Sequence, residues 1–263
     1  SLEDLRQIRE DQGLREILKM YRIPSSDAVG DWLRRSGING GLEGLASVNR
    51  RILKRGLKYD GIEGYTLDID ATGIMAEKET AMMTYKGYTG YMPMVGHLAE
   101  NGLVVGDEFR EGNEAPQAGN LEFIKYCERQ MPQGKKIKAV RADSAAYQAR
   151  IINYCNKNGV IFAIGADLDQ AVVKLIKGIK DWKVYKNGFV SEGVHCMNET
   201  DEAFRLVVIR RPVQGNLFKE EEEKEKYTAI ATNSMENIEK VIEWYNQRGE
   251  CSENRIKELK IGF

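Results

Sequence analysis

The chain contains few of the residues on which several kinds of catalytic and metal site depend. Only two histidines occur, His97 and His195, and the four cysteines are widely spaced with no C-x-x-C pair. Zinc clusters, histidine-rich metal sites and nucleophiles activated by histidine are therefore disfavoured. Carboxylates, by contrast, are plentiful, with 40 Asp and Glu residues among 263. Any catalysis is therefore expected to depend on carboxylates.

Long apolar runs are also missing. No stretch approaches the roughly 18 consecutive apolar residues of a membrane-spanning helix, and the opening SLEDLRQIRE is too polar for a signal peptide. We therefore expect a cytoplasmic protein that makes no contact with a membrane. Because the sequence begins with Ser1 and stops directly after a helical pattern, we also expect a fragment of a longer chain.

A net excess of positive charge is absent as well. Lys and Arg together number 39 against 40 Asp and Glu, so net charge alone does not indicate a nucleic-acid-binding protein. Basic residues are nevertheless clustered locally, as in RRILKRGLK at 50–58. This cluster fits a DNA-contacting surface and an ordinary solvated helix face equally well.

Hydrophobic periodicity divides the chain into four parts. Residues 1–60 have a helical pattern, and residues 61–165 alternate between strand and helix patterns. Residues 166–235 have strand patterns with hairpin signals and are predicted to form a β-rich insertion. Residues 236–263 are predicted to form a terminal helix. We expect an α/β fold.

The second part contains a strand, a helix and a strand in succession. IKAVRADSAAY is predicted to be a strand that leads into a helix with Ser144 as its N-cap and Gly159 just beyond its end. VIFAIGA then forms a continuous apolar strand. Because no tight hairpin separates the two strands, they are expected to be parallel.

Two aspartates lie at the ends of predicted strands, which is the position at which α/β enzymes bind ligands. Asp70 lies at the end of the strand predicted from the alternating run GYTLDIDATGI. Asp143 lies at the end of the later strand, which is predicted from IKAVRADSAAY. Side chains at the carboxyl ends of adjacent strands meet at one crevice, since neighbouring strands lie about 5 Å apart. The two carboxylates could therefore bind a metal together. A polar strand face and an aspartate helix cap would produce the same pattern.

The terminal helix offers a third carboxylate. Its charged run WYNQRGECSENRIKELK follows two possible N-caps, Ser234 and Asn237. Oxygen ligands without His or Cys suit Mg²⁺ or Mn²⁺, and three carboxylates can hold two such ions about 3.5 to 4 Å apart. A solvated helix with mixed charges is the ordinary alternative.

The segments LDIDAT, VRADSAAY and YNQRGECSENRIKELK, taken together, resemble the DDE transposases of bacterial insertion sequences. The resemblance covers roughly residues 60–263 and points to the branch with a Tyr-Arg-Glu-Lys signature. It implies an RNase H-like fold, a mixed sheet flanked by helices, in which residues 61–165 and 236–263 form one catalytic domain interrupted by the β-rich insertion. It also implies that Asp70, Asp143 and Glu253 hold two Mg²⁺ or Mn²⁺ ions and catalyse DNA strand cleavage and strand transfer.

The same resemblance implies how the protein contacts DNA. Tyr245, Arg248 and Lys260 match the other signature positions and, with Lys257, are expected to contact phosphates or order the site. The expected partners are the transposon ends and target DNA, with a homodimer of the full-length protein acting on paired ends. The expected location is the bacterial cytoplasm, on the nucleoid.

The signature in this chain has one irregular spacing. Four residues separate Arg248 from Glu253, where the signature has three, which places the two side chains roughly 140° apart on an ideal helix. We expect the helix to be irregular between them, for example through a π-bulge near Gly249. Glu250 is an alternative to Glu253, because Glu250 and Lys257 repeat the seven-residue step between Glu253 and Lys260.

Further alternatives concern the first aspartate and the reaction. Asp68 could replace Asp70, although no Thr lies two residues beyond it. An RNase H-like nuclease without strand transfer, or a degenerate domain retained for DNA binding or assembly, would share these motifs.

Overall fold

The structure, a computed structural model, describes residues 4–212 and 225–249. The helices in these ranges are α1 (Asp4–Glu10), α2 (Gln12–Ile17), α3 (Ser26–Ile38), α4 (Gly41–Gly56), α5 (Asn120–Gln130), α6 (Ala149–Asn158), α7 (Gln170–Gly178) and α8 (Ile238–Arg248). The strands are β1 (Gly64–Ala71), β2 (Ile74–Met75), β3 (Met82–Met83), β4 (Thr89–Tyr91), β5 (Met94–Leu98), β6 (Val104–Glu108), β7 (Lys136–Ala142), β8 (Ile161–Ala166), β9 (Lys183–Tyr185), β10 (Gly188–His195), β11 (Phe204–Pro212) and β12 (Glu225–Thr232).

A large mixed sheet organises the described residues. Its nine strands follow the order β6-β5-β1-β7-β8-β12-β11-β10-β9, and β2, β4 and β3 form a small second sheet. The neighbours β1, β7 and β8 are parallel. The other neighbouring pairs of the large sheet are antiparallel. The predicted parallel unit of β7, α6 and β8 is therefore confirmed.

Helices cover both faces of this sheet. Helices α4, α5, α6 and α7 bury apolar side chains against one face, where Leu67 and Val140 lie. Helix α8 covers the other face and buries Ile238, Val241 and Ile242 against β8, β10, β11 and β12. Successive strand residues point to opposite faces, so each parallel strand contributes to both layers. The prediction of a mixed sheet flanked by helices, as in RNase H-like domains, is confirmed.

Helix α8 begins at the second of its two candidate caps. The Asn237 side chain accepts a hydrogen bond from the Lys240 amide at 2.9 Å, which satisfies one of the free donors of the first turn. Ser234 instead lies before the helix, and its hydroxyl accepts from the Glu236 amide at 3.2 Å. The apolar positions that follow Asn237 then face the sheet.

The prediction that Ser144 caps α6 is wrong. Ser144 lies in a 3-10 turn, Ser144–Ala146, and α6 starts only at Ala149. Asp143 caps this turn by accepting from the Ala145 amide at 3.1 Å. The aspartate therefore directs the chain into a tight turn before the helix can begin. At the other end, Gly159 has a left-handed φ of 63°, as predicted for the residue just beyond the helix.

The segment 166–235 contains a helix that the hairpin signals did not indicate. Helix α7 is capped by Asp169, whose side chain accepts from the Val172 amide at 2.8 Å. The strands of this segment extend the same sheet, since β12 pairs with β8. The division of the chain into four parts stays a prediction. Among the described helices, none combines the length and apolar character needed to cross a membrane.

Candidate active site

Adjacent parallel strands bring Asp70 and Asp143 to one edge of the sheet. Asp68 on β1 is the register partner of Arg141 on β7, and each aspartate lies two residues further along its own chain segment. Because side chains two residues apart share a face, both aspartates lie on the face covered by α8. Both are half-buried. The structure thus places both carboxylates at one edge and on one face of the sheet, and their joint binding of a metal stays a prediction.

The surroundings of Asp70 disfavour its negative charge. Burial raises the pKa of the Asp70 carboxyl, the neighbouring charge of Asp143 raises it further, and the Arg248 guanidinium opposes the rise. Two carboxylates that repel each other in a half-buried site can be stabilised by a cation. Their oxygen atoms suit a hard ion such as Mg²⁺ or Mn²⁺.

The last turn of α8 supplies the other side chains of this site. Arg248 Nη1 lies 3.9 Å from Asp70 Oδ1, and the guanidinium lies 5.7 Å from the ring centre of Tyr245. Burial raises the pKa of the Tyr245 hydroxyl, while Arg248 acts in the opposite direction. Arg248 Nε is buried and has no hydrogen-bond partner among the described residues. Helix α8 thus places a cation and a phenol beside the two aspartates.

The carboxylate of the alternative aspartate, Asp68, already binds another side chain. It is fully buried, and its two carboxylate oxygens accept hydrogen bonds of 2.7 Å from Arg141. His97 Nε2 lies 3.6 Å from one of the same oxygens. The geometry therefore favours Asp70 as the carboxylate of β1 that is open to a ligand.

A glycine makes room for Tyr245. A Cβ atom placed on Gly165 of β8 would lie 2.8 Å from the Tyr245 hydroxyl oxygen and 3.3 Å from the Ser144 amide nitrogen. Gly165 was not predicted as a site residue. An isolated glycine in the apolar strand VIFAIGA was the available signal, since such a glycine often marks a close approach.

We expect Gly165→Ala to displace Tyr245, because the added methyl group would lie 2.8 Å from the Tyr245 hydroxyl oxygen. Unfolding free energy should fall by about 1 to 3 kcal/mol through overpacking. Denaturant unfolding would measure this loss. Gly178→Ala is the matched control, because its Cβ position has no neighbour within 4 Å. A Gly165→Ala variant as stable as the wild type would contradict the steric argument.

The remaining predicted site residues lie outside the described residues. These are Glu250, Glu253, Lys257 and Lys260. Gly249 continues the helical backbone with φ of −58° and ψ of −48°, in a π-type turn. Irregularity between Arg248 and Glu253 stays a prediction. Within residues 4–212 and 225–249, no group of three or more His, Cys, Asp or Glu residues is arranged to hold a metal.

Sequence comparison provides an independent result. No curated protein matches the chain. The family described as transposase DDE domain group 1 matches residues 39–263, a range that includes α4 and every described element after it. The match thus contains both strand-end aspartates, helix α8 and the residues beyond it. The chain therefore belongs to the transposase DDE domain group 1 family.

Proposed function

We propose that this protein cleaves DNA strands at the ends of a mobile element and transfers them to target DNA. The observation that carries the proposal is the position of Asp70 and Asp143 on adjacent strand ends, beneath the helix that leads to Glu253. Family membership supports a nuclease role for these acids. Glu253 is proposed as the third carboxylate of the triad.

The triad would hold two Mg²⁺ or Mn²⁺ ions. Bound ions of this kind supply an activated water or 3′ hydroxyl and neutralise charge on the leaving oxygen of a phosphodiester. The carboxylates of Asp70 and Asp143 fit such ions, because they offer oxygen ligands whose mutual repulsion a cation would relieve. The protein's part is to hold these oxygens together on β1 and β7.

The basic side chains near the triad are proposed to contact DNA phosphates. Arg248 is the best placed of the described residues, because its guanidinium lies at the site and its Nε has no hydrogen-bond partner among them. A guanidinium can bind two phosphate oxygens at once. Tyr245 would order Arg248 through the ring contact, and Lys257 and Lys260 would add phosphate contacts further along the chain.

The partners proposed for the full-length protein are the transposon ends, target DNA and a second copy of the chain on paired ends. A location on the bacterial nucleoid in the cytoplasm follows from that role. Two other functions remain: a nuclease that cuts without joining strands, and a non-catalytic domain for DNA binding or assembly. Both would keep the same fold, so they must be separated by activity.

The deciding experiment incubates the full chain with a supercoiled plasmid that carries the ends of its own element, in Mg²⁺, in Mn²⁺ and in EDTA. We expect nicked and joined products only with metal. Calorimetry should detect metal binding, and a ligand at about 100 times its dissociation constant should stabilise the fold by about 2.7 kcal/mol. Nicking without joining would favour the nuclease. Absence of both metal binding and nicking would favour the non-catalytic domain.

A further inference from the structure

A buried ion pair lies two residues before the candidate catalytic aspartates on their strands. Arg141 on β7 and Asp68 on β1 are 1% and 0% exposed. Arg141 Nε and Nη2 each donate to a different oxygen of Asp68, at 2.7 Å. The pair is thus bidentate and joins the two strands from which Asp70 and Asp143 extend.

The third nitrogen of the same guanidinium binds helix α8. Arg141 Nη1 donates to the Trp244 backbone carbonyl and, at 3.5 Å, to Gln247 Oε1. The guanidinium also lies 5.6 Å from the ring centre of Trp244. Trp244 directly precedes Tyr245, and Arg248 follows one helical turn later. Arg141 therefore contacts the turn of α8 that carries the site.

The spacing along the two strands relates this contact to the two candidate catalytic aspartates. Asp68 precedes Asp70 by two residues, and Arg141 precedes Asp143 by two residues. Two strand residues span about 7 Å, so the pair lies directly beneath the aspartates and on the same face. One guanidinium thus connects the two strands that carry the aspartates and the helix that leads to Glu253.

Stability alone gives a weak reason for such a pair. Taking two charges out of water offsets most of their attraction, and apolar residues of similar volume often replace a buried pair without loss of stability. Apolar residues cannot, however, reproduce the directional hydrogen bonds of the pair. A planar guanidinium with its donors in use fixes the two strands and the helix in one relative position.

We propose that Arg141 is a positioning residue: its contacts with Asp68 and the Trp244 carbonyl hold the turn of α8 that carries Tyr245 and Arg248 beside Asp70 and Asp143. The proposal depends on the proposed function, because it assigns Arg141 to the geometry of that metal site. Arg141 acts through these neighbours and does not itself contact metal or DNA.

The test compares the full wild-type chain with the double variant Arg141→Met, Asp68→Leu, which removes both charges together. Denaturant unfolding, Mn²⁺ calorimetry and plasmid nicking are measured on each. We expect a folded protein whose Mn²⁺ dissociation constant rises about 10- to 100-fold, the usual effect of losing partners that orient metal ligands. Nicking should fall and should recover in part at high Mn²⁺. A folded double variant with wild-type affinity and nicking would overturn the proposal.

The same two strands offer a matched control. Lys135 and Asp60 form an ion pair of 2.8 Å just before β7 and β1, at the opposite end of the strands. Asp60→Asn with Lys135→Met should leave Mn²⁺ affinity and nicking unchanged. If the apolar double variant does not fold, Arg141→Lys is tested in its place. Lysine keeps the buried positive charge but cannot donate to both oxygens of Asp68 in the way that the guanidinium does. Wild-type affinity and nicking in folded Arg141→Lys would then refute the proposal.

Measurements on the wild-type chain distinguish a failure of the proposed function from a failure of the role proposed for Arg141. If the wild-type chain binds no Mn²⁺ and nicks no plasmid, the proposed function fails, and the positioning role fails with it. If the wild-type chain does both and the charge-free variant matches it, only the role of Arg141 is wrong.

Discussion

Replacing Asp70 or Asp143 by Asn is expected to lower metal-dependent DNA cleavage by about 10³-fold or more, the range seen when one member of a cooperating catalytic group is removed. Asn keeps the shape of the side chain but cannot bring a negative charge to a cation. Both variants should also bind Mn²⁺ more weakly in calorimetry. Cleavage by either variant at the wild-type rate would remove that aspartate from the site.

The Asp70→Asn variant should be more stable than the wild type in the absence of metal. Burial and the charge of Asp143 raise the pKa of the Asp70 carboxyl above its usual range, so the folded protein binds a proton more readily than the unfolded chain. The charged carboxyl therefore costs stability at neutral pH, and that cost disappears as the pH falls below the raised pKa. We expect a gain of about 0.5 to 2 kcal/mol at pH 7, measured in EDTA.

Asp107→Asn is a suitable control for both effects. Asp107 is an exposed residue of β6, a strand at the edge of the same sheet. Its replacement removes one carboxylate without touching the site. Cleavage, Mn²⁺ affinity and stability in EDTA should all remain at wild-type values. Equal losses in this variant and in Asp70→Asn would show a general effect of charge and would contradict the site.

Glu253→Gln is expected to abolish cleavage as fully as the aspartate variants, whereas Glu250→Gln should remain active. Glu253 and Lys260 are seven residues apart and lie about 20° out of alignment on an ideal helix. Glu253 also matches the fuller part of the signature. Parallel assays of Mn²⁺-dependent cleavage by the two variants would measure the difference. Activity lost only in Glu250→Gln would transfer the third position to Glu250.

Folding must be controlled in this comparison as well. Both substitutions remove one charge and keep the side-chain length, so circular dichroism and unfolding midpoints should agree between the two variants. Calorimetry then adds an independent readout, since only the true third ligand should weaken Mn²⁺ binding when changed to Gln. A loss of cleavage without weaker Mn²⁺ binding would place the residue at the DNA and not at the metal.

Local patterns in the sequence were sufficient for much of the framework. The alternating run GYTLDIDATGI predicted β1, and the strand, helix and strand pattern predicted the parallel unit of β7, α6 and β8. These patterns also put Asp70 and Asp143 at strand ends. They succeed because backbone periodicity and turn chemistry depend on residues close together in the chain.

Local patterns failed where neighbouring side chains competed for the backbone. Ser144 fits the pattern of a helix cap, but the Asp143 side chain accepts a hydrogen bond from the Ala145 amide, and a 3-10 turn forms before the helix. Helix α7 was missed because the hairpin signals that follow it, Asn187-Gly188 and Glu192-Gly193, indicated a β-rich segment. Around Ser144 several residues offer similar local hydrogen bonds, and the backbone can form only one set of them.

By itself, then, the sequence determined most of the strands and helices and the placement of the two aspartates at the ends of their strands. The tertiary structure alone decided which polar groups are open to a ligand. Asp68 and Arg141 are separated by 73 positions yet form one bidentate pair, and Gly165 must be small because Tyr245, from a later helix, approaches it. Such contacts depend on strand order and helix packing, which join residues that no local period relates.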